Sequence, residues 1–324
     1  MGGNAFSSGD SPLYTPRMTP AVYQHVLNFY HAQLQQLFVA VATPIPGPAK
    51  KDHGDVDIFL AWERNAIFPS PMVTNLVTSL SPSSSDLLDA AKKLLNAERA
   101  LRAPHSTILA IPWPEDLPEE SPTDYQGTPR YIQVDLHLCD TLEHLQWMLF
   151  RHAHGDLWSI LGSTIRPFGL TIDEVGLHLR VPKIEFLDRK KAKILLTTEP
   201  KEVLDFLGLS YSGTQWEEPF ASAKDLFEYV ATCRLFCIHP LEAEPKNDKN
   251  GPVLEGEINQ AKLKASHRRR LAKRPVFREF FEEFLPACRD AGLFTAQTAT
   301  RDSVCVEAFN RFPGTRVAYA IRSY

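Results

Sequence analysis

"KDHGDVDIFL", residues 51–60, decides how the first half of the chain is read. Side chains alternate faces along a strand, so Val56 and Ile58 face a core while Asp55 and Asp57 share the opposite face. Two like charges held this close repel, and each resists leaving water, so the pattern costs stability unless something positive sits between them. A divalent metal ion is the usual solution. A two-metal site needs ligands from more than one strand, and "YIQVDLHLC", residues 131–139, offers one. There Gln133, Asp135 and His137 share a face, with Val134 and Leu136 on the other. A lone strand aspartate is more often an edge residue or an ion-pair partner than a functional group. Preceded by the D-x-D pair, Asp135 reads as a third carboxylate of the same set.

With 324 residues and 44% hydrophobic content, the chain has enough apolar material for two domains or one large α+β unit. A net charge of -4 provides no general polycation, so any contact with nucleic acid has to come from local patches. Five scattered cysteines and the lack of a secretory signal point to a reduced intracellular compartment, nuclear or cytoplasmic. No apolar run approaches the ~18 residues of a membrane span, so no membrane partner is expected.

Residues 1–18, rich in Gly, Ser and Pro, read as a disordered tail. Thr19 and Pro20 then open a helix with Val22, Val26, Tyr30, Leu34 and Leu37 at helical spacing. "FVAVAT" reads as a strand, residues 83–101 as a serine-capped helix, and "HSTILAIP" and "RYIQVDLHLC" as strands around an acidic, Pro-rich loop. Ser222 and Asp225 resemble a capping box. Residues 257–292 form a charged helical region broken at Pro275.

"GDVDIFL" followed by "QVDLHL" resembles the catalytic palm of the nucleotidyltransferase superfamily, specifically DNA polymerase family X. Downstream, "LFRHAHGDLWSILGSTIRPFGLTIDEVGLHL" resembles that family's thumb, with the Gly169–Leu177 stretch matching its "GL-x-hydrophobic-N/D-E-x-GL" segment. "LLTTEPKEVLDFLGLSY" resembles its closing helix, and the resemblance runs from about Thr19 to Tyr211. It implies an α+β fold with a palm at 19–145, built as a mixed sheet with helices on one face. A small α/β thumb at 146–215 and a mainly helical extension at 216–324 would follow. It also implies that Asp55 and Asp57 bind two Mg²⁺ or Mn²⁺ ions, with Asp135 joining them on one. The reaction implied is transfer of a nucleoside monophosphate from an NTP or dNTP to an acceptor hydroxyl, with release of pyrophosphate.

The pattern also departs from the family. Where the family's Gly-Ser pair holds terminal phosphates, this chain has Pro44 and Ile45, or Gly47 and Pro48, and neither pair supplies a hydroxyl. Lys50, Lys51, His53 and Gly54 are the candidates to compensate, and the alternative for them is an ordinary solvated loop. Phe150 and Arg151 stand before the glycine turn, with His154 and Gly155 in it, as further nucleotide-binding candidates; a plain loop role is the alternative. Trp158, Gly162 and His137 replace groups that check a base pair, which argues against accurate templated synthesis.

Arg268, Arg269, Arg270, Lys273 and Arg274 form the densest basic cluster, read either as a nucleic-acid contact or as a solvated helix face paired with glutamates. Phe277, Phe280, Phe281 and Phe284 read as a core stripe. Cys233, Cys237 and His239 lack a completing ligand pair and read as buried thiols rather than a zinc site. The resemblance and the basic patch favour a nucleic-acid 3′ end as acceptor, with a small-molecule or protein hydroxyl as the alternative. The rival from another class is a catalytically impaired nucleotide- or nucleic-acid-binding protein on the same fold.

Overall fold

The computed structural model describes residues 3–48, 50–68, 83–117, 122–124, 126–238 and 265–323. Thr19 is extended, and its side chain accepts a hydrogen bond from the Val22 N–H. This opens helix Pro20–Leu34, which buries Val22, Val26, Tyr30 and Leu34. Five strands follow: β1 Phe38–Ala42, β2 Val56–Glu63, β3 Arg99–Ala103, β4 Ser106–Pro112 and β5 Tyr131–Cys139. They form one mixed sheet in the order β1-β2-β5-β4-β3. β2 and β5 are parallel, and the other neighbours are antiparallel. Parallel neighbours cannot be joined by a tight turn, and the chain between them carries helix Ser84–Leu94 and the β3–β4 pair. Residues of both long helices share one core with Val56, Ile58, Leu60, Val134 and Leu136, so one face of the sheet is covered by helices.

Two expectations are corrected here. The helix expected over 83–101 ends at Leu94, because Asn96 turns the chain at φ 51° and Arg99–Ala103 pairs along β4 as an edge strand. Ladder hydrogen bonds to β4 outweigh the helical preference of "AERAL". The expected tail also packs. Phe6 and Met18 are buried, Met18 and His53 exchange backbone hydrogen bonds at 2.8 and 2.9 Å, and the Tyr131 N–H donates to the Tyr14 carbonyl at 2.9 Å. A Gly- and Ser-rich composition did not prevent order, since two apolar anchors fix the segment to the sheet.

The chain divides into two compact units, 1–44 with 50–149, and 45–49 with 150–324. The segments read as thumb and helical extension thus share one unit. The second unit holds an antiparallel sheet of β6 Leu170–Ile172, β7 Leu177–Arg180 and β8 Lys193–Thr197. The hairpin between β6 and β7 is set by Asp173, whose Oδ1 accepts from the Val175 and Gly176 N–H groups at 2.9 and 3.3 Å. Gly176 is required there, because a Cβ would sit 2.6 Å from the Thr197 carbonyl oxygen. Ser222 caps helix Ala223–Ala231, its Oγ accepting from the Asp225 N–H at 3.1 Å. Arg301 ties helix Arg301–Arg311 to Glu185 at 2.9 Å, and Arg234 donates to the Phe206 carbonyl at 2.6 Å. Phe277, Phe280 and Phe281 are buried around a π-helical turn, Phe280–Phe284, as a core stripe requires. Among the described residues no helix is long and apolar enough to cross a membrane.

Ile58, fully buried in the middle of β2, tests this core. Ile58→Ala is expected to lower the stability of the first unit by about 2–5 kcal/mol, measured by urea denaturation.

Candidate functional site

The parallel β2–β5 pairing sets Asp57 directly opposite Asp135. Adjacent strands lie about 4.8 Å apart and opposed residues share a face, so the two carboxylates stand side by side. Asp55 lies one residue before β2, in the same phase as Asp57. All three are partly buried. Burial, reinforced by the charges of Asp55 and Asp135, pushes the Asp57 carboxyl up to about 7, with Lys50 drawing it back. Burial and the Asp55 charge push Asp135 up to about 6 against an opposing hydrogen bond from Gln133, whose Nε2 donates to Asp135 Oδ1 at 2.8 Å.

The groups around the trio provide little positive charge. His137 Nε2 lies 4.0 Å from Asp57 Oδ1 and its ring stacks on Phe59 at 4.7 Å, but burial lowers its pKa and keeps it neutral at pH 7. Tyr23, on helix Pro20–Leu34, is pushed up to about 12 by burial and by the fields of Asp57 and Asp55. Thr43 donates to the Asp57 carbonyl at 3.2 Å, and His31 Nε2 lies 2.9 Å from the Thr43 hydroxyl. Among the described residues no three His, Cys, Asp or Glu side chains close into a metal-coordinating cluster. The donor set itself, three hard carboxylates, suits Mg²⁺ or Mn²⁺.

The nucleotide-binding candidates separate into two groups. Lys50 and Lys51 are exposed, and Lys50 is close enough to act on Asp57. His53 cannot compensate by charge as expected. It is 5% exposed, its ring stacks on Tyr23 at 3.6 Å, and burial with the Lys50 and Arg17 charges holds its pKa down at about 4. Gly54 is buried, with Gly3 packed against its carbonyl.

In the second unit Phe150 is buried between Trp158 and Trp216, with ring centroids 4.7 and 4.9 Å away, and its carbonyl accepts from Trp158 Nε1 at 2.8 Å. His154 is fully buried against Trp216 and Phe220, with its pKa lowered by burial to about 4. These placements give Phe150 and His154 a packing role instead of the nucleotide contact expected of them. His154 and Gly155 both take left-handed backbone, φ 60° and 62°. The His154 N–H donates to the Ile45 carbonyl at 2.8 Å, and a Cβ on Gly155 would stand 3.2 Å from Gly47 Cα. The 45–48 stretch is thus seated on this turn. Arg151 is half-buried, in the field of Glu174 and Asp173.

Of the basic cluster on helix Ala265–Lys273, Arg268, Arg269 and Lys273 are exposed and Arg270 is half-buried. Arg274, just past the helix, pairs with Asp156 at 2.6 Å and reaches the Ser159 hydroxyl at 3.1 Å, in place of the glutamate expected. Cys233 and Cys237 are free, buried thiols, and His239 lies outside the described residues. Sequence reasoning missed Tyr23, Thr43 and the hydrogen-bonding role of Gln133. The signal for Tyr23 was its place just off the apolar stripe of its helix.

Fold and site together define an α+β protein whose mixed sheet carries a carboxylate group on one face of two interior strands. No protein-family model matches the chain, and no curated protein matches it. Among solved structures it is similar to a ternary primer/template complex of Leishmania infantum polymerase beta, with 15% identity and a TM-score of 0.41 over 63% of this chain and 77% of that one. That is a distant structural relationship, too loose to bear on the reaction.

The raised carboxyls have a consequence for stability. Between the ordinary aspartate value of 3.8 and about 7, the folded protein keeps a proton on Asp57 that the unfolded chain has released. The folded state therefore binds more protons, and this contribution to stability falls as pH rises through that window. Without divalent metal, the melting temperature of Asp57→Asn relative to wild type is expected to climb from pH 4 to pH 7 and level off above. Thermal unfolding across pH checks it, and a pH-independent difference is the contrary result.

Proposed function

We propose that the protein is a Mg²⁺-dependent nucleotidyltransferase that moves an NMP or dNMP from a nucleoside triphosphate to an acceptor hydroxyl, releasing pyrophosphate. The observation that carries this reading is the in-register pairing of Asp57 with Asp135, beside Asp55, on one face of two interior strands with little compensating positive charge. Asp55, Asp57 and Asp135 would hold Mg²⁺ or Mn²⁺, which when bound stabilises charge developing on the attacking and leaving oxygens. Such a carboxylate set is what in-line phosphoryl transfer requires, and the family X resemblance of "GDVDIFL" and "QVDLHL" supports the same assignment.

In this reading the first sheet is the palm, and the second unit combines a thumb-like segment with the helical extension. Lys50, near enough to act on Asp57, and exposed Lys51 next to it in the chain would meet the triphosphate in place of the missing Gly-Ser pair. Neutral His137, in place of the family's arginine, would add no positive charge to compete with the cation for Asp57. Exposed Arg268, Arg269 and Lys273 favour a nucleic-acid 3′ end as acceptor over a small-molecule or protein hydroxyl. One observation favours the rival, an impaired binding protein: the 45–48 stretch, with prolines at 46 and 48, contributes its Ile45 carbonyl to packing on His154.

The test is incubation of purified protein with Mg²⁺ or Mn²⁺, each labelled NTP and dNTP, and single-stranded or primed oligonucleotides. Metal-dependent extension with pyrophosphate release is expected, falling about 100-fold or more in Asp57→Asn and Asp135→Asn, which should fold normally. Full turnover by Asp135→Asn would overturn the assignment, and nucleotide binding without turnover would favour the rival.

A further inference from the structure

Gln133 lies two residues before Asp135 on β5, on the same face, and is 4% exposed. Both ends of its amide are engaged. The Ala5 N–H donates to Oε1 at 2.9 Å, while Nε2 donates to Asp135 Oδ1 at 2.8 Å. A backbone N–H can only donate, so the amide oxygen has to face Ala5 and the NH₂ has to face Asp135. Ala5 is itself held. Gly3, at φ 90°, packs so closely on Gly54 that a Cβ would stand 3.0 Å from the Gly54 carbonyl carbon, and the Thr15 hydroxyl donates to the Gly3 carbonyl. Phe6, next along, is buried.

We infer that Gln133, locked by the Gly3–Ala5 segment, is a positioning residue that sets the Asp135 carboxylate to receive a divalent cation. The inference rests on reading the three aspartates as a metal-holding set. An amide suits the task because it fixes one carboxylate oxygen through a neutral donor. A lysine or arginine there would orient Asp135 equally well but would cancel the charge a cation needs. Holding Oδ1 limits rotation of the carboxylate and leaves its second oxygen for an external partner. Groups that orient a metal ligand from behind are worth about 10–100-fold in metal affinity. The device is non-local: residue 5 sets the donor that orients residue 135.

The experiment measures Mn²⁺ affinity of the full chain by calorimetry and by the free-Mn²⁺ electron paramagnetic resonance signal, with melting in chelator as the fold control. The proteins are wild type, Asp57→Asn, Gln133→Met and Ala5→Pro. Gln133→Met keeps the volume and removes both hydrogen bonds, whereas Ala5→Pro removes the donor that locks the amide and leaves the residues of β5 unchanged. Expected are tight binding by wild type, loss in Asp57→Asn, and binding about 10–100-fold weaker in Gln133→Met and Ala5→Pro at near-native melting temperatures. If both of those variants bind Mn²⁺ as wild type does while Asp57→Asn does not, the role of Gln133 is overturned and the metal reading stands. If wild type and Asp57→Asn are alike, the metal reading itself falls. If affinity falls only in step with melting temperature, Gln133 is a packing residue and the inference is overturned. Should Gln133→Met fail to fold, Ala5→Pro decides alone.

Discussion

The repulsion between Asp57 and Asp135 is the constraint around which the first unit is arranged. A parallel strand pair holds them side by side, and the backbone cannot relieve the contact without losing its ladder. The opposite face pins the register. A slip of one residue would turn Val56, Ile58, Val134 and Leu136 out of the core and drive the aspartates in, at a cost far beyond what the charges lose by standing together. The core therefore sustains an electrostatic arrangement that would not hold by itself. Nearby groups moderate it without cancelling it: His137 stays neutral, Lys50 acts from the adjoining loop, and Gln133 donates without adding charge.

Local patterns made the central strands legible. Alternation named β2 and β5 and the face that carries their aspartates, Thr19 and Ser222 announced their helices, and the phenylalanine spacing identified a buried stripe. What escaped was carried by long-range contacts. Arg99–Ala103 is a strand only because β4 lies beside it, and its own residues favour a helix. The first 18 residues look disordered by composition, yet Phe6 and Met18 find sites in the fold that no local pattern encodes. Gln133 shares a strand face with Asp135, which alternation shows, but its amide is fixed by the Ala5 N–H from 128 residues away, which no local pattern encodes. Phe150 and His154 show the converse: a motif aligned their positions, but surrounding tryptophans decide what their rings touch.

Charge is divided unevenly. The first unit carries 16 Asp and Glu against 9 Lys and Arg, while the second carries 23 against 26. A net negative first unit repels anions at long range, so attraction of any anionic ligand to it would depend on short-range cations such as Lys50. The sensitivity of such attraction to salt would then reflect a few residues rather than the whole surface.

The chain leaves the first unit at residue 45 and returns at 50, lending five residues to the second unit long before the main crossing at 150. No single cut therefore yields two self-contained halves. A fragment ending at 149 would expose the Ile45 and Gly47 backbone that meets the His154–Gly155 turn, and one beginning at 150 would keep that left-handed turn with nothing seated on it. Recombination at the apparent border near residue 149 would therefore part the 45–49 segment from the turn that it meets within its own unit.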